Sequence, residues 1–216
     1  MRTGRGLAWV AGSYLAGTFP SAYIVAMAVH ADGVFDAASE LASEGDAHIL
    51  LVANSGAGPG AAAILGDLAK GALVGLAAQR AGLSPGWRAA SGVAVVAGHS
   101  FPFYARPFAA RGITAAAGVS LVLVPGPMVV GGAVLGAGKL LGHTGPASTI
   151  GFATVPLIAA LRREPPAMVA MSAGILAVIL ARRLVGIGPV AERDGWPRAL
   201  FRRLLFDDDR PRELNG

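Results

Sequence analysis

Apolar residues run along this chain in long uncharged blocks separated by short polar segments. The blocks are residues 7–29, 49–66, 89–105, 112–138, 140–161 and 165–181. A hydrocarbon core of about 30 Å takes roughly 20 residues of helix, and stretches of this size predict bilayer-crossing helices. The second block continues past Asp67 and Lys70 to Gln79, and the fourth carries Pro125-Gly126-Pro127 near its middle. Proline lacks a backbone donor and clashes with the preceding helical turn, so this triplet predicts a break. The fourth block then becomes two short spans. The expected fold class is all-α: a polytopic integral membrane helical bundle of about seven transmembrane helices.

Composition agrees with the pattern. Of 216 residues, 54% are hydrophobic and 14% charged, and the mean hydropathy is +0.57. A water-soluble domain needs more charge to cover its surface, whereas lipid solvates apolar side chains directly. The first block is too long for a secretory signal and lacks a convincing A-x-A cleavage site, although Arg2 and Arg5 precede it, so it is expected to remain as a span. The absence of cysteine excludes disulfides and thiolate metal sites.

Lys and Arg are retained on the cytoplasmic side during insertion, which gives an orientation. Eight arginines lie from Arg182 onward; with seven spans and an inner C-terminus, Arg106, Arg111 and Lys139 join them. Arg2, Arg5, Arg80, Arg88, Arg162 and Arg163 fall outside, so the bias is N-out, C-in. The expected organisation is a transmembrane domain over 1–187 and a cytoplasmic basic tail over 188–216. In that tail Trp196, Leu200, Leu204 and Leu205 form one apolar side between Arg198, Arg202 and Arg203, as an interfacial helix would. Asp207-Asp208-Asp209 reads as a solvated end. With spans throughout, the net charge of +5 points to anionic headgroups and not to nucleic acid. Residues 30–48 hold five acids and no Lys or Arg, must lie outside the hydrocarbon, and suggest either a solvated loop or a surface helix near 36–43.

A few polar residues stand out against this background. Asp67 and Lys70, three apart on one helix face, sit in an otherwise apolar run; they either pair with each other or draw an anion into a polar cleft. Ser55-Gly56-Ala57-Gly58-Pro59-Gly60 precedes a helix; such glycines either cradle phosphate on backbone N–H groups or let helices approach closely, and spacing favours packing. Gly98-His99-Ser100-Phe101-Pro102-Phe103 is followed by Arg111-Gly112, Thr114 and Gly118. A histidine at a helix end, next to a proline break and arginines, suits an anion pocket or a simple helix cap. No Ser/His/Asp triad, HExxH or Walker loop is present.

These segments resemble the bacterial acyl-phosphate:glycerol-3-phosphate acyltransferase family. Residues 98–118, GHSFPFYARPFAARGITAAAG, are similar to its GHxFPxFxxFxGGKGVATxxG, with the same spacing from His99 to Arg111. LGDLAKG, residues 65–71, is similar to its LLDxxKG, and Gly17-Thr18-Phe19-Pro20-Ser21-Ala22-Tyr23 to its GSxPxxY. The resemblance implies a seven-span bacterial inner-membrane enzyme that moves an acyl group from acyl phosphate to glycerol 3-phosphate, without cofactor, giving lysophosphatidate for phospholipid synthesis. It implies catalytic roles for His99, Arg111 and Ser43, and phosphate contacts from Lys70, Asp67, Gly98, Gly112 and Arg183. The chain departs from the pattern in three places. The family's GSGNxGATNVxR loop falls on 42–53, where only Ser43 matches and Ala53 replaces arginine. Its GGKG reads Ala109-Ala110-Arg111-Gly112. Its HxxNxxRL falls on Ala177, Leu180, Arg183 and Leu184. Two further readings therefore stand beside the enzyme: a silent relative that binds a phospholipid precursor or partners another membrane enzyme, and a small transporter.

Overall fold

The computed structural model describes residues 3–31, 47–104, 110–185, 187–188, 191–192 and 195–206, and all regular structure among them is helical. Ser43, the expected surface helix near 36–43, Arg106 and Asp207-Asp208-Asp209 lie outside the described residues.

The first apolar block does not form one span. It makes α1 (Thr3–Gly17) and α2 (Ser21–Ala28), with the chain turning at Thr18-Phe19-Pro20. Pro20 caps α2 and cannot continue α1, because it has no N–H to return to the preceding turn. The second block is divided as well, into α3 (Ala47–Ser55) and α4 (Ala57–Arg80), at Gly56, whose φ of 87° suits glycine alone. Beyond it come α5 (Pro85–Ser100), α6 (Ile113–Leu123), α7 (Pro125–Leu140), α8 (Thr144–Leu161) and α9 (Pro166–Leu184). The predicted break at the Pro-Gly-Pro triplet is present, with Pro125 starting α7 directly after α6. A short α10 (Trp196–Phe201) runs into a π-helical turn, Arg202–Phe206.

Three of these helices, α4, α8 and α9, are long and apolar enough to cross a membrane. Their outward faces carry large apolar side chains, such as Leu65, Leu73, Leu157 and Leu161, that water would penalise and lipid accepts. The main core lies between α5, α6, α8 and α9, where Val95, Val96, Val119, Phe152, Val155 and Ile175 interlock. A smaller cluster of Ala26, Leu51 and Ala63 packs α2 and α3 onto α4.

Hydrophobic transfer cannot hold helices together in lipid, so close packing must. Two crossings are built on paired glycines. At the α1–α5 crossing, a methyl group on Gly98 would lie 2.9 Å from the Tyr14 carbonyl carbon, and one on Gly17 would lie 3.0 Å from the His99 amide nitrogen. At the α4–α6 crossing, methyls on Gly71 and Gly118 would lie 3.0 Å from the carbonyl carbon of Ala115 and the amide nitrogen of Ala72. Both crossings hold backbones close enough to bring polar groups on α1, α4 and α5 to one place.

Candidate active site

The polar residues begin at the corner between α1 and α2. An unwound turn inside a membrane helix exposes carbonyls that must find donors or line a cavity. Here both outcomes occur. Lys70 of α4 donates from Nζ to the Phe19 carbonyl at 2.8 Å, and the Tyr104 hydroxyl donates to the Thr18 carbonyl. Tyr14 donates to the Phe101 carbonyl at 2.7 Å, so two tyrosines fix the segment after α5 against the end of α1.

Asp67 lies one turn from Lys70 on α4, and its Oδ1 is 2.9 Å from Lys70 Nζ. The same oxygen is 3.8 Å from Nδ1 of His99, in the last turn of α5. All three side chains are at least nine-tenths buried. An isolated charge at this depth is costly, and the carboxylate compensates the ammonium while giving the imidazole an orienting partner.

These groups line a narrow cleft of about 30 Å³, together with Thr18, Phe19, Ser21, His48 and Tyr104. Ser21 is the first residue of α2, so the positive end of that helix faces the cleft. Its hydroxyl is buried and has no hydrogen-bond partner among the described residues. A second space of about 620 Å³, apolar in its walls, runs between α1 and α4 and shares Phe19 and Lys70 with the cleft. The charged cleft and the apolar groove thus border the same two residues, Phe19 and Lys70.

The structure brings together three of the residues singled out by sequence: Asp67, Lys70 and His99. Arg111 follows Ala110, which lines the cleft, but is not itself among the lining residues. Gly98 is set against the backbone of Tyr14, and Gly112 starts α6 with φ 83°, beside Val96 and Ser100. Neither glycine lines the cleft. Arg183 is buried elsewhere: its guanidinium donates to Ser148 Oγ at 2.6 Å, to the Leu204 carbonyl at 2.9 Å and to Thr149 Oγ1, which ties the tail to α8 and α9. Sequence reasoning passed over Thr18, Ser21, His48 and Tyr104 as site residues. The Phe19-Pro20 step was the signal for the first two, since it marks a broken helix with freed carbonyls.

Residues 7–187 match the glycerol-3-phosphate acyltransferase family. The chain belongs to that family. Glycerol-3-phosphate acyltransferase 4 of Dehalococcoides mccartyi is 36% identical over 179 residues, 80% of this chain and 92% of that protein. The glycerol-3-phosphate acyltransferase of Pseudomonas entomophila is 35% identical over 122 residues, 56% of this chain and 64% of its own length. Two crystal structures of PlsY, an integral membrane glycerol 3-phosphate acyltransferase, share the fold. Its lysophosphatidic acid form superimposes with a TM-score of 0.72 and its glycerol 3-phosphate form with 0.70, each at 21% identity over 88% of this chain and 93% of PlsY. With that fold and its apolar helices, this family member is a helical membrane protein.

Proposed function

We propose that this protein transfers an acyl group from acyl phosphate to glycerol 3-phosphate, releasing inorganic phosphate and lysophosphatidate. The observation that carries the proposal is the shared wall at Lys70: a cleft holding a cation, a carboxylate–imidazole pair and a helix N-terminus borders the same Lys70 and Phe19 as an apolar groove. Both substrates are phosphorylated anions, and one of them carries a long apolar chain. That combination calls for a charged chamber adjoining an apolar one.

In this mechanism Lys70, the Ser21 hydroxyl and the first turn of α2 hold the phosphates. Asp67 holds His99 with Nδ1 turned toward the carboxylate. The imidazole takes the proton from the glycerol hydroxyl as its oxygen attacks the acyl carbon. The negative charge that develops on the carbonyl oxygen meets Lys70 and the positive end of α2. The bond from acyl carbon to phosphate oxygen then breaks, and the proton passes to the departing phosphate. Arg111, next to the cleft wall, adds positive potential at its mouth, and Ser43 supplies a further hydroxyl. Gly98 and Gly112 act through the backbone geometry they permit, and Arg183 through the tail it holds. The cleft faces the cytosol of a bacterial inner membrane with the chain N-out and C-in, the transmembrane domain ending near 187 and the basic tail inside, where water-soluble glycerol 3-phosphate is available.

Lysophosphatidate formation by purified protein in detergent, given both substrates, tests the proposal. Lys70→Met and His99→Ala should each lower turnover by about a hundredfold or more, the range for a lost catalytic base or charge. Absence of lysophosphatidate from the unaltered protein would overturn it.

A further inference from the structure

The apolar groove has a feature that the transfer reaction alone does not require. Its α1 wall carries three small residues one turn apart, Ala8, Gly12 and Ala16, beside Trp9 and Ser13, and its α4 wall carries Leu73, Val74 and Ala77. Positions spaced by four share a helix face, so these three form a continuous floor. A methyl group added at Gly12 would meet no atom within 4 Å, so the floor is open at its centre. Phe19 and Lys70 stand at one end of the groove and Arg5 at the other.

We infer that Ala8, Gly12 and Ala16 set the length of acyl chain the protein accepts. This rests on the acyl-transfer proposal above and specifies its donor. With the acyl carbon held beside Lys70, the chain leads along α1 toward its N-terminus. From Ala16 to Arg5 the helix rises about 16 Å, Gly12 standing about 6 Å and Ala8 about 12 Å along that path. The full path is close to half of a bilayer core of about 30 Å, which is the reach of one ordinary membrane acyl chain. A longer chain meets the Arg5 guanidinium, which apolar methylenes cannot solvate, and must leave the groove there. The donor arrives from lipid already in an apolar medium, so transfer energy discriminates little between lengths. Length is therefore chosen by steric room, and the residue at each turn decides how far a chain extends.

The test is a length profile of kcat/KM on acyl phosphates of about 4, 8 and 16 carbons, chosen to end before the Gly12 turn, between Gly12 and Ala8, and beyond Ala8. Gly12→Leu should lower the two longer donors relative to the shortest by about tenfold or more, the usual penalty for forcing methylenes into filled apolar space. Ala8→Leu should lower only the longest by a similar factor. Gly136→Leu, on α7 away from the groove and equally open, should leave the profile as it was. Identical profiles in the unaltered protein and both groove variants would overturn the inference, showing that bulk lipid and not the donor fills the groove. If the unaltered protein turned over no donor of any length, acyl transfer would fall. Binding of non-hydrolysable acyl phosphonates, read by thermal shift, would then decide the groove alone: a length dependence altered by Gly12→Leu upholds it, and no such dependence overturns it.

Discussion

Gly98→Ala is the most informative small change in this protein, because it separates packing from substrate contact at a residue adjoining His99. The Cβ it introduces would lie 2.9 Å from the Tyr14 carbonyl carbon and 3.2 Å from its Cα. Non-bonded carbons rest at about 3.5–4.0 Å, so α1 and α5 must part by at least about 0.6–1.1 Å at this level, the Tyr14 carbonyl oxygen being nearer still. Backbone atoms cannot rotate aside as a side chain can, so the movement falls on whole helices. Overpacking of this kind costs about 1–3 kcal/mol. The displacement also acts on the site: α1 leads directly into the turn that holds the Thr18 and Phe19 carbonyls, while α5 carries His99, so the crossing sets their separation. A misplacement of about 1 Å lowers rates by about a hundredfold. Thermal unfolding in detergent and lysophosphatidate formation should therefore fall together. Gly12→Ala, which meets nothing within 4 Å, should leave the melting temperature unchanged or slightly raised, since alanine favours helix by about 1 kcal/mol. Unchanged stability with lost activity in Gly98→Ala would refute the packing argument and make Gly98 a substrate contact. Unchanged stability and activity would show that the crossing is looser than its geometry states.

Gly112→Ala places a side chain at φ 83° and against Ser100 and Val96, and should cost about 1–3 kcal/mol of stability in a detergent melt, with no change in melting temperature counting against it. Tyr104→Phe removes the donor to the Thr18 carbonyl; a loss of about 1 kcal/mol and faster amide exchange at the end of α5 should follow, and unaltered exchange would show that the bond holds nothing in place. Arg183→Ala leaves Ser148, Thr149 and the Leu204 carbonyl without their shared donor, so amide exchange across residues 196–206 should rise while the KM for glycerol 3-phosphate stays within about twofold. A raised KM with a protected tail would instead make Arg183 a phosphate ligand.

The order of apolar blocks announced a helical membrane protein, and no tertiary information was needed for that. Each block is solvated by lipid and closes its own backbone hydrogen bonds within one helix, so the decision is local. The break at Pro125-Gly126-Pro127 was equally legible, since proline acts on its own turn. The division of residues 7–29 at Pro20 was not read in advance, although the same physics applies: a lone proline inside an apolar run also fits a kinked continuous helix, and only the carbonyl partners of Thr18 and Phe19 distinguish the two.

The site divides in the same way. Asp67 and Lys70 share a helix, and their pairing follows from a spacing of three. His99 meets them because α1 crosses α5 and α4 crosses α6 on glycines, and no local pattern states which glycines face which backbone. Arg183 makes the contrast plain: its motif suggested phosphate, yet the fold directs it to α8 and the tail. Sequence alone determined the solvent this chain lives in and the polar residues it carries there, because both are properties of single segments. Which of those residues share a cleft depended on helix crossings between segments far apart in the chain, and that only the tertiary structure decided.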